Sequence, residues 1–135
     1  MTERTLLLIK PNAVAHHHVG HIISIVEEHG FVLVNMKELQ FDRELAERFY
    51  AVHKGKSFYE RLVDFMCSGT TVAILLERSN AVEALRDLIG EVEPEHRKPG
   101  TIRALYAEGI TENAVHASDS PDSARHEIGL LFEGV

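Results

Sequence analysis

Cysteine is nearly absent from this 135-residue sequence: Cys67 stands alone, so no intramolecular disulfide can staple the chain. A reducing, cytoplasmic setting is expected. The opening residues, MTERTLLLIKP, lack the charged start, long apolar run and small-residue cleavage site of a secretory signal. No apolar stretch approaches the roughly 20 residues that a membrane-crossing helix needs. The longest runs, around residues 5 to 9 and 70 to 76, are strand-sized. Basic residues are in the minority, 14 Lys and Arg against 21 Asp and Glu, for a formal net charge of -7. That balance argues against a general nucleic-acid binder, which needs a broad face of clustered cations. It leaves room for a few cations gathered into one pocket around a small polyanion. The composition, 44% hydrophobic and 26% charged, is that of a globular chain with a core, and the length suits one domain over residues 1–135.

Hydrophobic patterning gives an order of elements. RTLLLIK, residues 4 to 10, is a continuous apolar run stopped by Pro11, which suits a central strand buried on both faces with Lys10 emerging at its end. After a loop carrying His16, His17 and His18, GHIISIVEEHG spaces Ile22, Ile23, Val26 and His29 as a helix and ends at Gly30. FVLVNMKEL, residues 31 to 39, reads as a strand. Asp42 then suits the cap of a helix bearing Leu45, Phe49 and Val52. Ser57 and Glu60 have capping-box spacing before a second helix with Leu62, Phe65 and Met66. TTVAILLE, residues 70 to 77, is a strand, and Ser79 is expected to open a helix presenting Val82, Leu85, Leu88 and Ile89 up to Gly90. Residues 90 to 112 lose periodicity, as either a functional loop or a disordered stretch would. NAVHA, residues 113 to 117, is a short strand, and Asp119 or Ser120 with Pro121 starts a closing helix carrying Ala124, Ile128 and Leu131. Without the added helices, this order is the split βαβ, or ferredoxin-like, arrangement. The expected fold is therefore α+β: a four-stranded antiparallel sheet covered by helices, with an extra helix pair and a long loop. A fold of this kind hosts many functions, so the chemistry must come from particular residues.

The most informative of these lie in NAVHASDS, residues 113 to 120, where His116 sits in a short apolar strand followed by Ser118. A lone strand histidine is more often a hydrogen-bonded core residue than a reagent. Yet imidazole, with an unperturbed pKa of about 6.5, is a good nucleophile near neutral pH, and a phosphorylated ring nitrogen is a good leaving group. The segment resembles the active-site signature of the nucleoside diphosphate kinases. Further matches follow in that family's order: TLLLIKP, VGHII, FYAVHKGKSFY, Ser68-Gly69, KPGTIR and SARHEIGLLF.

The resemblance implies an enzyme that carries the γ-phosphate of a nucleoside triphosphate, typically ATP, to a nucleoside diphosphate. It does so by a ping-pong mechanism through phosphohistidine at His116, whose delta nitrogen attacks in the family. It assigns orientation of the ring to Glu127, helped by Ser118, and hydrogen-bonding support of Lys10 and the histidine to Tyr50. Lys10, Arg86 and Arg103 would hold phosphates, for which a planar guanidinium and a point-charge ammonium are suited. Asn113 would meet the sugar hydroxyl and phosphate, and Phe58 would stack on the base, although Phe58 could equally join Leu62 in an apolar helix face. No Walker or protein-kinase glycine motif is present, so the KPGTIR loop is the candidate phosphate cradle, with Gly100 allowing a tight backbone. Magnesium (Mg2+) would travel on the nucleotide phosphates with few or no dedicated protein ligands. The resemblance further implies a homo-oligomer, a dimer-based tetramer or hexamer, although the extension found in many longer members does not follow Phe132.

Three positions depart from the family pattern. Val92 stands where the nucleotide-binding site usually has a Thr hydroxyl, Glu112 replaces a frequent Arg, and Ala117 replaces Gly. A non-catalytic nucleotide-sensing module is the competing reading that these departures motivate. A ferredoxin-like nucleic-acid binder is weaker still, for want of an interleaved aromatic and basic strand motif. The three adjacent histidines are expected in an exposed loop rather than a metal site, and Cys67 is expected to be a packing residue.

Overall fold

The period of two along the first strand decides the layering. In the computed structural model, which describes residues 2 to 132, β1 spans Thr2–Ile9 and its last residues are buried without interruption. Successive side chains point to opposite faces. Leu7 and Ile9 accordingly enter one hydrophobic cluster, while Leu6 and Leu8 enter another. A strand buried on both faces needs helices above and below, and the chain supplies both.

The remaining elements are α1 (Pro11–Ala15), α2 (Val19–Glu28), β2 (Val32–Gln40), α3 (Arg43–Phe49), α4 (Tyr59–Met66), β3 (Thr70–Ser79), α5 (Ala81–Ile89), α6 (Ile102–Tyr106), β4 (Val115–Ala117) and α7 (Pro121–Leu131). Single 3-10 turns fall at Ala51–His53 and Pro94–His96. The sheet order is β2-β3-β1-β4, and every pairing is antiparallel. This is the ferredoxin-like arrangement expected. Helices α2 and α5 press Ile22, Val26, Leu85 and Ile89 onto one face. The extra pair α3 and α4, together with α7, brings Phe49, Leu62, Met66 and Leu131 to the other.

Several local signals behave as expected. Asp42 caps α3 by accepting from the Leu45 amide at 2.8 Å, and Ser120 caps α7 by accepting from the Ser123 amide at 3.0 Å, with Pro121 in the first turn. Others do not. Residue Phe58, not Ser57, precedes α4, and that end has no side-chain cap. Ser79 completes β3, and Asn80, in the left-handed conformation, starts α5. Val52 lies in the 3-10 turn after α3 and is 79% exposed, so it is not part of that helix's apolar face. The region from 90 to 112 is not wholly irregular, because Thr101 accepts from the Ala104 amide at 3.3 Å and nucleates α6. The histidine segment follows a short helix, α1, rather than the strand directly. His16 and His17 are exposed there, while half-buried His18 stacks on Tyr106 at 4.0 Å.

Candidate functional site

β4 pairs with β1 in a register that sets His116 opposite Leu8, so the imidazole shares the face on which Leu8 meets α3 and α7. The Phe49 and Tyr50 rings stand edge-on to it, with centroids at 5.1 and 5.9 Å. Along α7 the inward positions Ala124, Glu127 and Leu131 recur at helical spacing, which projects a carboxylate into this apolar layer. A buried carboxylate needs donors. It has two: Glu127 Oε1 lies 2.8 Å from His116 Nε2 and accepts from the fully buried Ser118 hydroxyl at 2.7 Å. Since a carboxylate only accepts, the neutral ring must carry its hydrogen on Nε2, the tautomer in which Nδ1 keeps its lone pair.

The backbone just before the histidine is tightly turned. Ala114 has φ 76°, and the Val115 amide donates to the Asn113 carbonyl at 3.0 Å, a γ-turn of the strained, positive-φ kind. The Ala114 carbonyl accepts from the Lys10 amide at 2.8 Å, which ties the end of β1 to this turn. Ala117, by contrast, is a buried residue of β4 without a positive φ, so the strand takes its methyl group with no backbone cost.

Two guanidinium groups hold the carbonyls on either side of the histidine. Arg103 donates to the Val115 carbonyl at 3.0 Å and to the Gly90 carbonyl at 2.9 Å; Arg86 donates to the Ala117 carbonyl at 3.3 Å. Lys10 is only 4% exposed. Burial, reinforced by the Arg103 charge and opposed by Glu112, brings its ammonium down to about 7. Arg103 is pulled down to about 10, first by burial and then by the charges of Arg86 and Arg97. Positive charge is thus crowded into a poorly solvated place, the condition under which an incoming anion is stabilised most.

Unpartnered polar atoms point the same way. Buried groups normally find partners, yet the Tyr50 hydroxyl, Arg103 Nε and Asn113 Oδ1 have none among the described residues. The hydrogen bond expected from Tyr50 to Lys10 or His116 is therefore not made. Its phenol is held protonated by burial and by the nearby Glu127 charge. Asn113 donates through Nδ2 to the Ile110 carbonyl at 2.7 Å, which fixes the amide and leaves Oδ1 as the free acceptor.

The exposure of Phe58 decides between its alternative roles. It is 42% exposed where Leu62 is 8%, so it is a platform at the start of α4 and not part of that helix's buried face. Lys56 Nζ lies 5.9 Å from its ring centroid. His53 was not among the residues singled out from the sequence, yet its ring lies 5.3 Å from Phe58 and 6.3 Å from Tyr50. Burial lowers the His53 pKa, followed by the Lys56 and His116 charges. Its place in FYAVHKGKSFY, between Tyr50 and Phe58, was the available signal. Val92 contributes only a carbonyl to the polar contacts, accepting from Arg97 at 2.7 Å. The open hollow lined by Pro11, Val14, Phe65 and Ser68 contains none of the catalytic candidates and has no charged lining.

Comparison with known proteins agrees with this geometry. The family model described as nucleoside diphosphate kinase matches residues 3–135. The chain is 48% identical to the nucleoside diphosphate kinase of Persephonella marina, covering 96% of this chain and 93% of that protein. It is 51% identical to the one from Wolinella succinogenes, over 98% and 96% of the two. Among solved structures, the orthorhombic crystal form of the Aquifex aeolicus nucleoside diphosphate kinase superposes with a TM-score of 0.96 at 39% identity, covering 99% of this chain and 97% of that one.

Proposed function

Because the chain belongs to the nucleoside diphosphate kinase family, a family of phosphotransferases, we propose that it moves the γ-phosphoryl group of a nucleoside triphosphate to a nucleoside diphosphate through His116. The observation that carries this reading is the Glu127 carboxylate on His116 Nε2, at 2.8 Å, which leaves Nδ1 of the neutral ring free as the nucleophile, on a strand whose neighbouring carbonyls are held by two arginines.

In the first half-reaction, the Nδ1 lone pair attacks the γ-phosphorus. The bond from phosphorus to the bridging oxygen breaks, and its electrons leave on the diphosphate. In the second, the terminal oxygen of a new nucleoside diphosphate attacks the same phosphorus, and the nitrogen-phosphorus bond returns its electrons to Nδ1. Glu127 opposes the positive charge that builds on the ring in both directions, and Ser118 keeps that carboxylate in place. Lys10, Arg86 and Arg103 bind the phosphate oxygens, where positioning and charge carry most of phosphoryl-transfer catalysis. The unpartnered Tyr50 hydroxyl and Asn113 Oδ1 supply a donor near the phosphoryl group and an acceptor for a sugar hydroxyl. Phe58 stacks on the base, a contact that tolerates any base because each has a π face.

Arg103 and Arg86 hold the carbonyls that flank the histidine, and the Glu127 carboxylate is already engaged by His116 and Ser118. Those surroundings fit Mg2+ arriving on the nucleotide: Lys10, Arg86 and Arg103 would hold the phosphates that carry it, and the ion would supply further neutralisation of their charge. Of the departures that favour a sensing module, Ala117 loses its force because its backbone is ordinary strand. A homo-oligomer built from dimers is supported by edge strand β2, which exposes Val32 and Met36 at 58% and 49%. Among the described residues, no helix is long and apolar enough to cross a membrane. The single cysteine, which suits a reducing compartment, supports a cytoplasmic setting.

The test is a two-step transfer. Protein incubated with labelled ATP and Mg2+ is expected to acquire an acid-labile phosphate and to discharge it to GDP, and His116→Gln to do neither. Nucleotide binding without label in the wild type would sink the catalytic reading in favour of the sensing module.

A further inference from the structure

The sequence departure at Glu112 has a partner 51 residues away. Arg61 Nη2 lies 3.0 Å from Glu112 Oε1 and 3.3 Å from Oε2, so one nitrogen is shared between both carboxylate oxygens. Arg61 belongs to α4 and lies three residues after Phe58, which makes the two neighbours on one side of the helix start. Glu112 immediately precedes Asn113. The ion pair therefore links the element that begins at the exposed aromatic platform to the residue beside the unpartnered amide acceptor.

The Glu112 end is firmly built. Its carbonyl accepts from the Glu108 amide at 2.8 Å, from the Gly109 amide at 3.2 Å and from Asn12 Nδ2 at 3.2 Å. Its carboxylate closes on Gly109 so tightly that a Cβ there would meet Oε1 at 2.8 Å. Residues 108 to 112 thus fold around the Glu112 backbone carbonyl, with its carboxylate packed on Gly109, and the γ-turn at Ala114 follows directly. The Glu112 charge also opposes the loss of a proton from buried Lys10. Arg61 is mostly exposed at 69%, against 28% for Glu112. An exposed pair contributes little to global stability, so its consequence is local: it fixes the loop relative to α4.

We propose that the Arg61–Glu112 ion pair is a positioning device for nucleotide binding, setting the separation between the base platform Phe58 and the sugar acceptor Asn113. This rests on the phosphotransferase reading of the same site. With the pair broken, the loop can drift from α4, and a nucleotide must reorder it on binding. The cost falls on affinity, while the chemistry at His116 stays intact once the nucleotide is seated.

The experiment measures ADP affinity by calorimetry on the His116→Gln background, which needs no turnover, alongside KM and kcat in the otherwise wild-type enzyme. Arg61→Ala and Glu112→Ala are each expected to weaken ADP binding and raise KM by about two- to fivefold, the range an exposed pair can supply, with kcat held within about twofold. The double alanine variant is expected to be no worse than either single one, because the second substitution removes nothing further. The exchanged pair Arg61→Glu with Glu112→Arg should recover most of the affinity. Unchanged ADP affinity in the single variants would overturn the proposal, as would additive losses in the double one. Failure of the wild type to form phosphohistidine would strike the parent reading alone, because the calorimetric cycle does not depend on transfer.

Discussion

Replacing Glu127 by Gln tests whether the carboxylate acts through its charge. The amide keeps the shape, and its oxygen can still accept from both His116 Nε2 and the Ser118 hydroxyl, which now lie 2.8 and 2.7 Å from Oε1. Hydrogen bonds to a charged group contribute about 1.5 to 3 kcal/mol and neutral ones about 0.5 to 1.5. Two such bonds therefore lose about 2 kcal/mol together. A Coulomb estimate reaches the same scale. Full unit charges at that nitrogen-oxygen distance attract by roughly 6 kcal/mol at an effective dielectric of about 20, and a third of a charge on the ring in the transition state gives about 2 kcal/mol. The side chains are 19% and 10% exposed, so solvent screens this little. The expected result is a fall of about 30-fold in the rate of phosphoenzyme formation, measured by rapid quench with labelled ATP at saturation, and little change in ATP affinity. Ser118→Ala keeps the charge and should cost less. A Glu127→Gln enzyme that phosphorylates within about twofold of wild type, or loses only ATP affinity, would refute the claim that Glu127 works on the histidine.

Two further outcomes follow from burial. Leu7 is fully buried and pairs with Ile74 and Ala117 on either side. Leu7→Asp should abolish the cooperative thermal transition, because a charge there has no partner, and a transition at the wild-type temperature would contradict that. Lys10 keeps its proton up to about 10.5 when unfolded and loses it above about 7 when folded. Between those values the unfolded chain holds the extra proton, so stability of the nucleotide-free protein should rise with pH by up to about 1.4 kcal/mol per unit. Thermal denaturation at pH 7 and 9 should show the rise in the wild type and a smaller one in Lys10→Met; equal slopes would remove Lys10 as the cause.

The strands were legible because burial writes itself into sequence: an unbroken RTLLLIK could hardly be anything but a strand covered twice. Caps were legible where geometry and residue type coincided, as at Asp42, and misleading where a serine merely had the spacing, as at Ser57. The five-residue helices α1 and α6 are too short to show a period, so their positions came only with the fold. Lys10, His116 and Glu127 were recoverable from motif resemblance. The missing partner of Tyr50, the placement of His53 and the Arg61–Glu112 pair were not, because each depends on distances between elements far apart in the chain.

β4 is an edge strand, and edges invite pairing with other chains. Around His116 the even-numbered residues turn their backbone toward β1, as the bonds from the Lys10 amide to the Ala114 carbonyl and from the Ser118 amide to the Leu6 carbonyl show. The carbonyls of Val115 and Ala117 face outward, and Arg103 and Arg86 occupy them. The two guanidinium groups thus stand where a fifth strand would add, and keep the strand that bears His116 from recruiting a neighbour's.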